Sequence, residues 1–280
     1  MRILHLSDTH VPRRLGPDED GGDARAALAQ FLQDCRHLSG IELVVVSGDV
    51  TDDGSPEGYD TVKALVGGFA RERRAGQVYC PGNHDDRVAF AGTLGSGHLD
   101  AEGGDVGRLG CSTGERAAVS VVSGVRVITL DSLVPGQISG WISDEQLGWL
   151  RDLLAEPAPR GSVVVVHHPP IALERTGQRA AGLQNPEALS GALDGSDVQV
   201  VLCGHFHAQI SGRLGTVPVW IGPAVYTRLD LSAPDGLDWA LRGAAATVVD
   251  LAGPHAPMFH VVHARDPHAG RRVYLADSVT

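Results

Sequence analysis

Asp8-x-His10 and His205-x-His207 each set two metal-binding side chains two residues apart, and Asp49, Asn83 and His167 add three more donors along the chain. Imidazoles mixed with carboxylates favour borderline first-row metals over Ca²⁺ or Mg²⁺. In extended backbone, side chains two residues apart share a face, so each pair can close on a cation from one side. Asp49, a lone carboxylate after Gly48, suits a ligand bridging two cations. The stretch Pro81-Gly82-Asn83-His84-Asp85 crowds a turn, an amide, an imidazole and a carboxylate into one loop.

These residues follow apolar runs that read as strands. Ile3 to Leu6 runs into Ser7-Asp8-Thr9-His10, Leu43 to Val46 into Ser47-Gly48-Asp49, and Gln77 to Cys80 into the Pro81 loop. Val163 to Val166 precedes His167-His168-Pro169-Pro170, and Val198 to Leu202 precedes Cys203-Gly204-His205-Phe206-His207. Continuous β-branched runs are typical of strands buried on both faces. Ligands of open α/β sheets bind beyond the carboxyl ends of such strands.

The intervening segments carry helical periodicity. Leu28, Phe31, Leu32, Cys35 and Leu38 form one stripe, and Tyr59, Val62, Leu65, Val66 and Phe69 form another after the cap pair Ser55-Pro56. Ser143 and Gln146 predict a capping box ahead of Leu147, Leu150 and Leu154. Asn185-Pro186 opens a short helix. Ala118–Val122 and Val125–Leu130 predict a hairpin about Ser123-Gly124. Further strands are expected at 217–221, 246–251 and 257–263, an irregular stretch at 92–114, and a fraying polar tail. No linker or repeat divides the chain, so one domain over 1–280 is expected, with the motifs at 8–207 and C-terminal strands and tail at 208–280.

Each motif alone has an ordinary alternative. Asp8 and Asp49 fit turn or cap acids, His5 fits a packed strand residue, and the two histidines before Pro169 fit a strand stop. Independent coincidence at five strand ends is the weaker account.

Taken in order, Asp8-x-His10, Gly48-Asp49, Gly82-Asn83-His84-Asp85, His167-His168-Pro169 and Gly204-His205-Phe206-His207 resemble the calcineurin-like metallophosphoesterase signature. Within that superfamily the chain is similar to the class III cyclic-nucleotide phosphodiesterases. The shared features are Gly-Asn-His-Asp-Asp-Arg at 82–87, Leu130-Asp131-Ser132 with Val134-Pro135-Gly136, Gln146-Leu147-Gly148-Trp149-Leu150 and the His-His-Pro-Pro run. The resemblance implies a four-layer α/β/β/α sandwich and a dinuclear site. One metal would take Asp8, His10, Asp49 and His207, and the other Asp49, Asn83, His167 and His205. Iron and manganese are the metals expected first, with zinc or cobalt also suited to the donors.

On that footing, two cations ~3.5–4 Å apart would hold a bridging hydroxide for in-line attack on phosphorus. The departing alkoxide needs a proton, and His84, beside Asn83, is placed to give it. Asp85 either orients His84 or favours its protonated form, or else closes the loop. His168 is read as packed. The expected substrate is a 3′,5′-cyclic nucleotide, with a glycerophosphodiester or a phosphomonoester as alternatives on the same metals. A non-catalytic scaffold is a more distant reading, because it predicts decay at positions that are all filled here. Specificity is expected in the loops at 12–22, 92–114 and 171–184. There Arg13, Arg14 and Arg175 could meet a phosphate or base, or be solvated surface charge.

The 280 residues carry 23 basic and 34 acidic side chains, a formal charge of −11. That balance disfavours nucleic acid and anionic membranes as partners. No run approaches the ~20 apolar residues of a membrane span, and Ser7-Asp8 interrupts the N-terminus before a signal-peptide core could form. The four cysteines show no Cys-x-x-Cys pairing and read as free thiols. A cytoplasmic enzyme is expected, with the assembly left open between a single chain and the homodimer that related enzymes often form.

Overall fold

Residues 1–14, 16–17, 22–172, 178–234 and 237–277 are described by a computed structural model. β1 (Arg2–Leu6) leads through α1 (Ala24–Asp34) to β2 (Leu43–Ser47), and α2 (Pro56–Arg73) leads to β3 (Gly76–Cys80). α3 (Arg87–Leu94), β4 (His98–Leu99), β5 (Arg108–Leu109), β6 (Ala118–Val122) and β7 (Val125–Leu130) follow. Then come α4 (Asp144–Leu154), β8 (Ser162–Val166), α5 (Gln178–Ala181), α6 (Pro186–Leu193) and β9 (Val198–Cys203). The C-terminal region is built of β10 (Ile210–Leu214), β11 (Val217–Ile221), β12 (Thr227–Leu229), β13 (Leu237–Arg242), β14 (Ala245–Asp250), β15 (Met258–His263) and β16 (Arg272–Asp277).

One sheet has the order β15-β14-β1-β2-β3-β4 and the other β10-β11-β9-β8-β7-β6-β5. β1, β2 and β3 run parallel, as do β7, β8 and β9. Strand alternation divides the apolar residues between layers. Leu4, Leu6, Val44 and Val46 pack with Leu28, Phe31, Tyr59, Val62 and Phe90 of the first helix layer. Ile3, Leu43 and Val45 turn the other way, onto Val127, Val163, Val165 and Leu202 of the opposite sheet. Val164, Val166 and Val201 then meet Leu147, Leu150 and Leu189 of the outer helices. Each fully buried Val or Leu contributes about 1.5–3 kcal/mol, so the central strands anchor all four layers. The architecture is α/β/β/α.

Several local expectations change. The capping box is half formed: Ser143 Oγ accepts from Gln146 N at 3.3 Å, but the Gln146 amide turns inward onto Asp131. Its oxygen accepts from Asp131 N and its nitrogen donates to Asp131 O, both at 2.8 Å. Tertiary pairing with buried backbone outcompetes the local cap. The stretch at 92–114 is not wholly irregular: α3, capped by Asp86, whose Oδ1 accepts from Val88 N and Ala89 N, runs into it as far as Leu94, and it contains β4 and β5. The tail does not fray where it is described. β16 pairs antiparallel with β13 and builds a third sheet, β12-β13-β16, where the Arg272 guanidinium lies 3.6 Å above the Trp239 ring centre. Among the described residues, no helix is long and apolar enough to cross a membrane, and all four cysteines are free thiols.

Candidate metal centre

The ends of β1, β2 and β3 in one sheet meet the ends of β8 and β9 in the other. Asp8 N donates to Gly48 O at 3.1 Å and His10 N to Asp49 O at 3.0 Å, so the first two loops run side by side. Gly204 N donates to His167 O at 3.1 Å, joining the loops of the second sheet. The sheets are linked by His205 N, 3.1 Å from both Asp8 carboxylate oxygens.

The backbone that achieves this is not extended, contrary to the same-face argument for the two paired motifs. Asp8, His10, Asp49, His205 and His207 have φ of 53°, 45°, 45°, 70° and 47°. Among the described residues, Arg74 and Ser123 are the other non-glycine residues with positive φ. Left-handed conformations cost of order 1–3 kcal/mol each and concentrate at functional sites. The paired side chains converge because the chain turns sharply off each strand. Close approach adds a second requirement: a Cβ on Gly48 would overlap the His167 ring, and one on Gly204 would overlap Ser7 Oγ and the Asp8 carboxylate.

Each histidine of the proposed donor set has one ring nitrogen tied to the protein. His10 Nδ1 is 2.9 Å from Asp52 Oδ1, His167 Nδ1 2.8 Å from Ser47 O, and His207 Nδ1 3.0 Å from Thr227 Oγ1. His205 is tied through the other nitrogen, Nε2, 3.0 Å from Ala181 O. The opposite nitrogens are left for the centre. Such outer hydrogen bonds are what fix tautomer and orientation in metal-ligating histidines.

The free nitrogens crowd around two buried carboxylates. Asp49 Oδ2 lies 3.6 Å from His10 Nε2 and 3.2 Å from His167 Nε2. His207 Nε2 is 3.4 Å from Asp8 Oδ1 and 3.2 Å from His10 Nε2. Asn83 Oδ1 is 3.2 Å from His167 Nε2. Donor atoms of Asp8, His10 and His207, and of Asp8, Asp49 and His167, each fall within 4.8 Å of one another. Two acids, an amide and three imidazoles converge in this way, and His205 joins them through its donor group with His167, a set that fits transition-metal cations.

The electrostatics agree with that fit. Burial would lower His10, but the Asp52 hydrogen bond and the charges of Asp49 and Asp8 raise it to about 9. Burial likewise opposes, and Asp49 overcomes, a rise of His167 to about 9. Asp49 is held well below the carboxylate range by His167 and His10 despite its burial. His205 is pushed down to about 3 by burial and by His167, which outweigh the raising charges of Asp49 and Asp8. The field that charges two imidazoles is the field a cation would relieve.

His168 joins His167 and His205 as a donor cluster by proximity, but both its nitrogens are occupied, by Ser132 Oγ at 2.7 Å and Ile138 O at 2.9 Å. It packs against the His205 ring at 4.6 Å. His5 is buried, with Nε2 2.7 Å from Ser47 Oγ, and burial pushes it down to about 4.

His84 stands at the mouth, 42% exposed, with its ring centre 4.7 Å from that of His10. Its backbone N donates to Asp49 Oδ1 at 2.9 Å. The group that holds its ring is Asp52, whose carbonyl O is 3.0 Å and Oδ1 3.6 Å from Nδ1. Asp85 takes the loop-closing alternative. Its carboxylate accepts from Val50 N, Thr51 N, Gly82 N and Tyr59 OH at 2.8–3.1 Å. Burial and the nearby Asp49 push it up to about 6 against those donors. Asp52 was missed in the sequence, although its position three residues after Asp49, in the same turn, was a readable signal. In the loop at 12–22, Arg13 pairs with Glu57 at 3.1 Å on the surface and Arg14 is exposed. Arg175 lies outside the described residues.

Comparison with known proteins agrees with this geometry. The model of a family described as calcineurin-like phosphoesterase matches residues 1–209. A probable cyclic nucleotide phosphodiesterase of Rhodococcus erythropolis is 35% identical over 243 residues, covering 84% of this chain and 74% of the relative. A cAMP/cGMP dual specificity phosphodiesterase of Mycobacterium tuberculosis is 35% identical over 239 residues, covering 84% and 70%. A dimetal phosphatase from Danio rerio shares the fold with TM-score 0.57 at 14% identity, covering 94% of this chain and 99% of that one.

Proposed function

The chain belongs to the calcineurin-like phosphoesterase family, and from that premise we propose that it is a dinuclear phosphodiesterase acting on 3′,5′-cyclic nucleotides. One observation carries the dinuclear reading: Asp49 Oδ2 stands between His10 Nε2 at 3.6 Å and His167 Nε2 at 3.2 Å. A single carboxylate is thus shared by two donor sets. Asp8, His10, Asp49 and His207 would hold one cation, and Asp49, Asn83, His167 and His205, through its Nδ1, the other. The relatives named cyclic nucleotide phosphodiesterases support the substrate class. Iron and manganese are the proposed metals, a cytoplasmic location is proposed from the free thiols, and a homodimer is the proposed assembly.

When bound, the two cations lower the pKa of water and offset charge on the phosphoryl oxygens. The chain's own residues do the rest. His10, His167 and His205 are held in fixed tautomers by the acceptor oxygens of Asp52, Ser47 and Ala181, and Thr227 Oγ1 orients His207. Asn83 adds a donor without adding negative charge. Because Asp52 O accepts the Nδ1 hydrogen of His84, Nε2 is the position that gives and takes a proton. A water would release one proton to solvent as its oxygen adds to phosphorus, and as the P–O3′ bond breaks the proton on Nε2 would go to the departing alkoxide, with Nε2 then reprotonated from solvent. Asp85 acts through the loop and keeps Asn83 and His84 in register with Val50 and Thr51.

Reconstitution with Mn²⁺ tests the reading. Two ions per chain by elemental analysis, with release of p-nitrophenol from bis(p-nitrophenyl) phosphate, are expected. Binding of two ions without turnover would support a scaffold instead.

A further inference from the structure

Leu231 leaves 40% of its surface in solvent at the edge of a cavity of about 290 Å³. That volume is at the lower end of small-molecule sites, which span roughly 300–1,000 Å³. The cavity wall includes His207, Gln209, Arg228, Leu229 and His263. His207 therefore belongs both to the donor group with Asp8 and His10 and to the cavity.

The rings of His84, His10 and His207 follow one another, with centres 4.7 Å and 5.2 Å apart. The cavity thus adjoins the centre at His207, and His10 stands between that histidine and His84. The other flank is formed by His167, His168 and His205, where Ala181 O is 3.0 Å from His205 Nε2. A larger cavity of about 510 Å³ beyond Pro169 and Pro170 includes none of the proposed ligands among its described lining residues.

We propose that the cavity beside His207 is the subsite for the nucleoside portion of the substrate. The inference rests on the cyclic-nucleotide reading above. If His84 delivers the proton to O3′, the ribose leaves beside His84, on the same side of the centre as His10 and the cavity residue His207. Leu229 and Leu231 offer apolar surface to a purine, which would cover the exposed leucine. Gln209 brings an amide of the kind that pairs with adenine N6 and N7, and Arg228 a planar cation of the kind that stacks on bases. Most of the wall, from Arg228 to His263, lies beyond the residues matched by the family model. The C-terminal strands that present it would thus set substrate choice, while the first 209 residues carry the shared chemistry.

The test compares Leu231→Ser and Gln209→Ala with the unaltered chain on cyclic AMP and on bis(p-nitrophenyl) phosphate, which has no nucleoside. KM for cyclic AMP should rise about tenfold more than KM for the bis-ester, equivalent to about 1.4 kcal/mol. Parallel changes on both substrates, or none, overturn the subsite. If the unaltered chain does not hydrolyse cyclic AMP, the substrate reading fails by itself. The subsite is then judged by inhibition of bis-ester hydrolysis. Adenosine 5′-monophosphate binding more tightly than inorganic phosphate, with the difference lost in Leu231→Ser, supports it. Equal potency of the two inhibitors overturns it.

Discussion

Asp52 Oδ1 accepts the Nδ1 hydrogen of His10 at 2.9 Å, and the carbonyl of the same aspartate holds His84 Nδ1 at 3.0 Å. One turn residue therefore orients both a proposed metal ligand and the proposed proton donor. The first contact is made by its side chain and the second by its backbone, so substitution separates them. Asp52→Ala should weaken binding of Mn²⁺ by about 10–100-fold, the usual worth of such an outer hydrogen bond, while the His84–carbonyl contact persists. A metal titration with unaltered affinity would remove Asp52 from the account.

His84→Ala should keep its metal and lose about 10²–10⁴-fold in rate on cyclic AMP, the range of general acid catalysis. The loss should be smaller on bis(p-nitrophenyl) phosphate, whose leaving group needs little protonation. Equal losses on both esters would argue that His84 binds phosphate rather than delivering a proton.

Asp85→Ala should act mainly on stability. It strands the buried donors of Val50, Thr51, Gly82 and Tyr59, and unsatisfied groups cost about 1–3 kcal/mol each before relaxation. A loss of about 3 kcal/mol in urea unfolding is expected. Undiminished stability with a changed pH–rate profile would return Asp85 to proton delivery.

His98 is buried between Ser120 Oγ at 2.7 Å and Thr129 Oγ1 at 3.0 Å, and burial pushes it down to about 3. Between its ordinary value near 6.5 and about 3, the unfolded chain binds a proton that the folded chain does not. Stability should therefore fall as pH drops through that window, by up to about 1.4 kcal/mol per pH unit from this one group. Urea midpoints at pH 7.5 and pH 5 should differ more for the unaltered chain than for His98→Gln. Identical differences would show that His98 takes up its proton without unfolding.

The strands ahead of each motif were legible because their β-branched runs are continuous, and Leu43–Val46 and Val163–Val166 appear at the heart of the two sheets. The candidate site residues could be named because several strand ends carried metal-binding types, and the structure brings those strand ends together. How they converge was not legible. A spacing of two suggests pleated backbone, whereas Asp8, His10, His205 and His207 turn through left-handed conformations that only the tertiary structure imposes. Asp85 and Asp52 show the same limit, since Asp85 is the sequence neighbour of His84 while Asp52, 32 residues away, is the one that touches its ring. Gln146 had a local partner in Ser143 and took a distant one in Asp131. The third sheet was hidden because β12 is three residues long and β16 lies in a stretch that reads as polar tail.

The proposal that two cations would share Asp49 and serve a cyclic phosphodiester is decided by kcat/KM on one Mn²⁺-reconstituted preparation for cyclic AMP, 2′,3′-cyclic AMP, a glycerophosphodiester and a phosphomonoester. Cyclic AMP should be preferred, and the activity should disappear together with the metal in Asp49→Ala. Preference for the monoester, or an Asp49→Ala protein that keeps both ions, would contradict it.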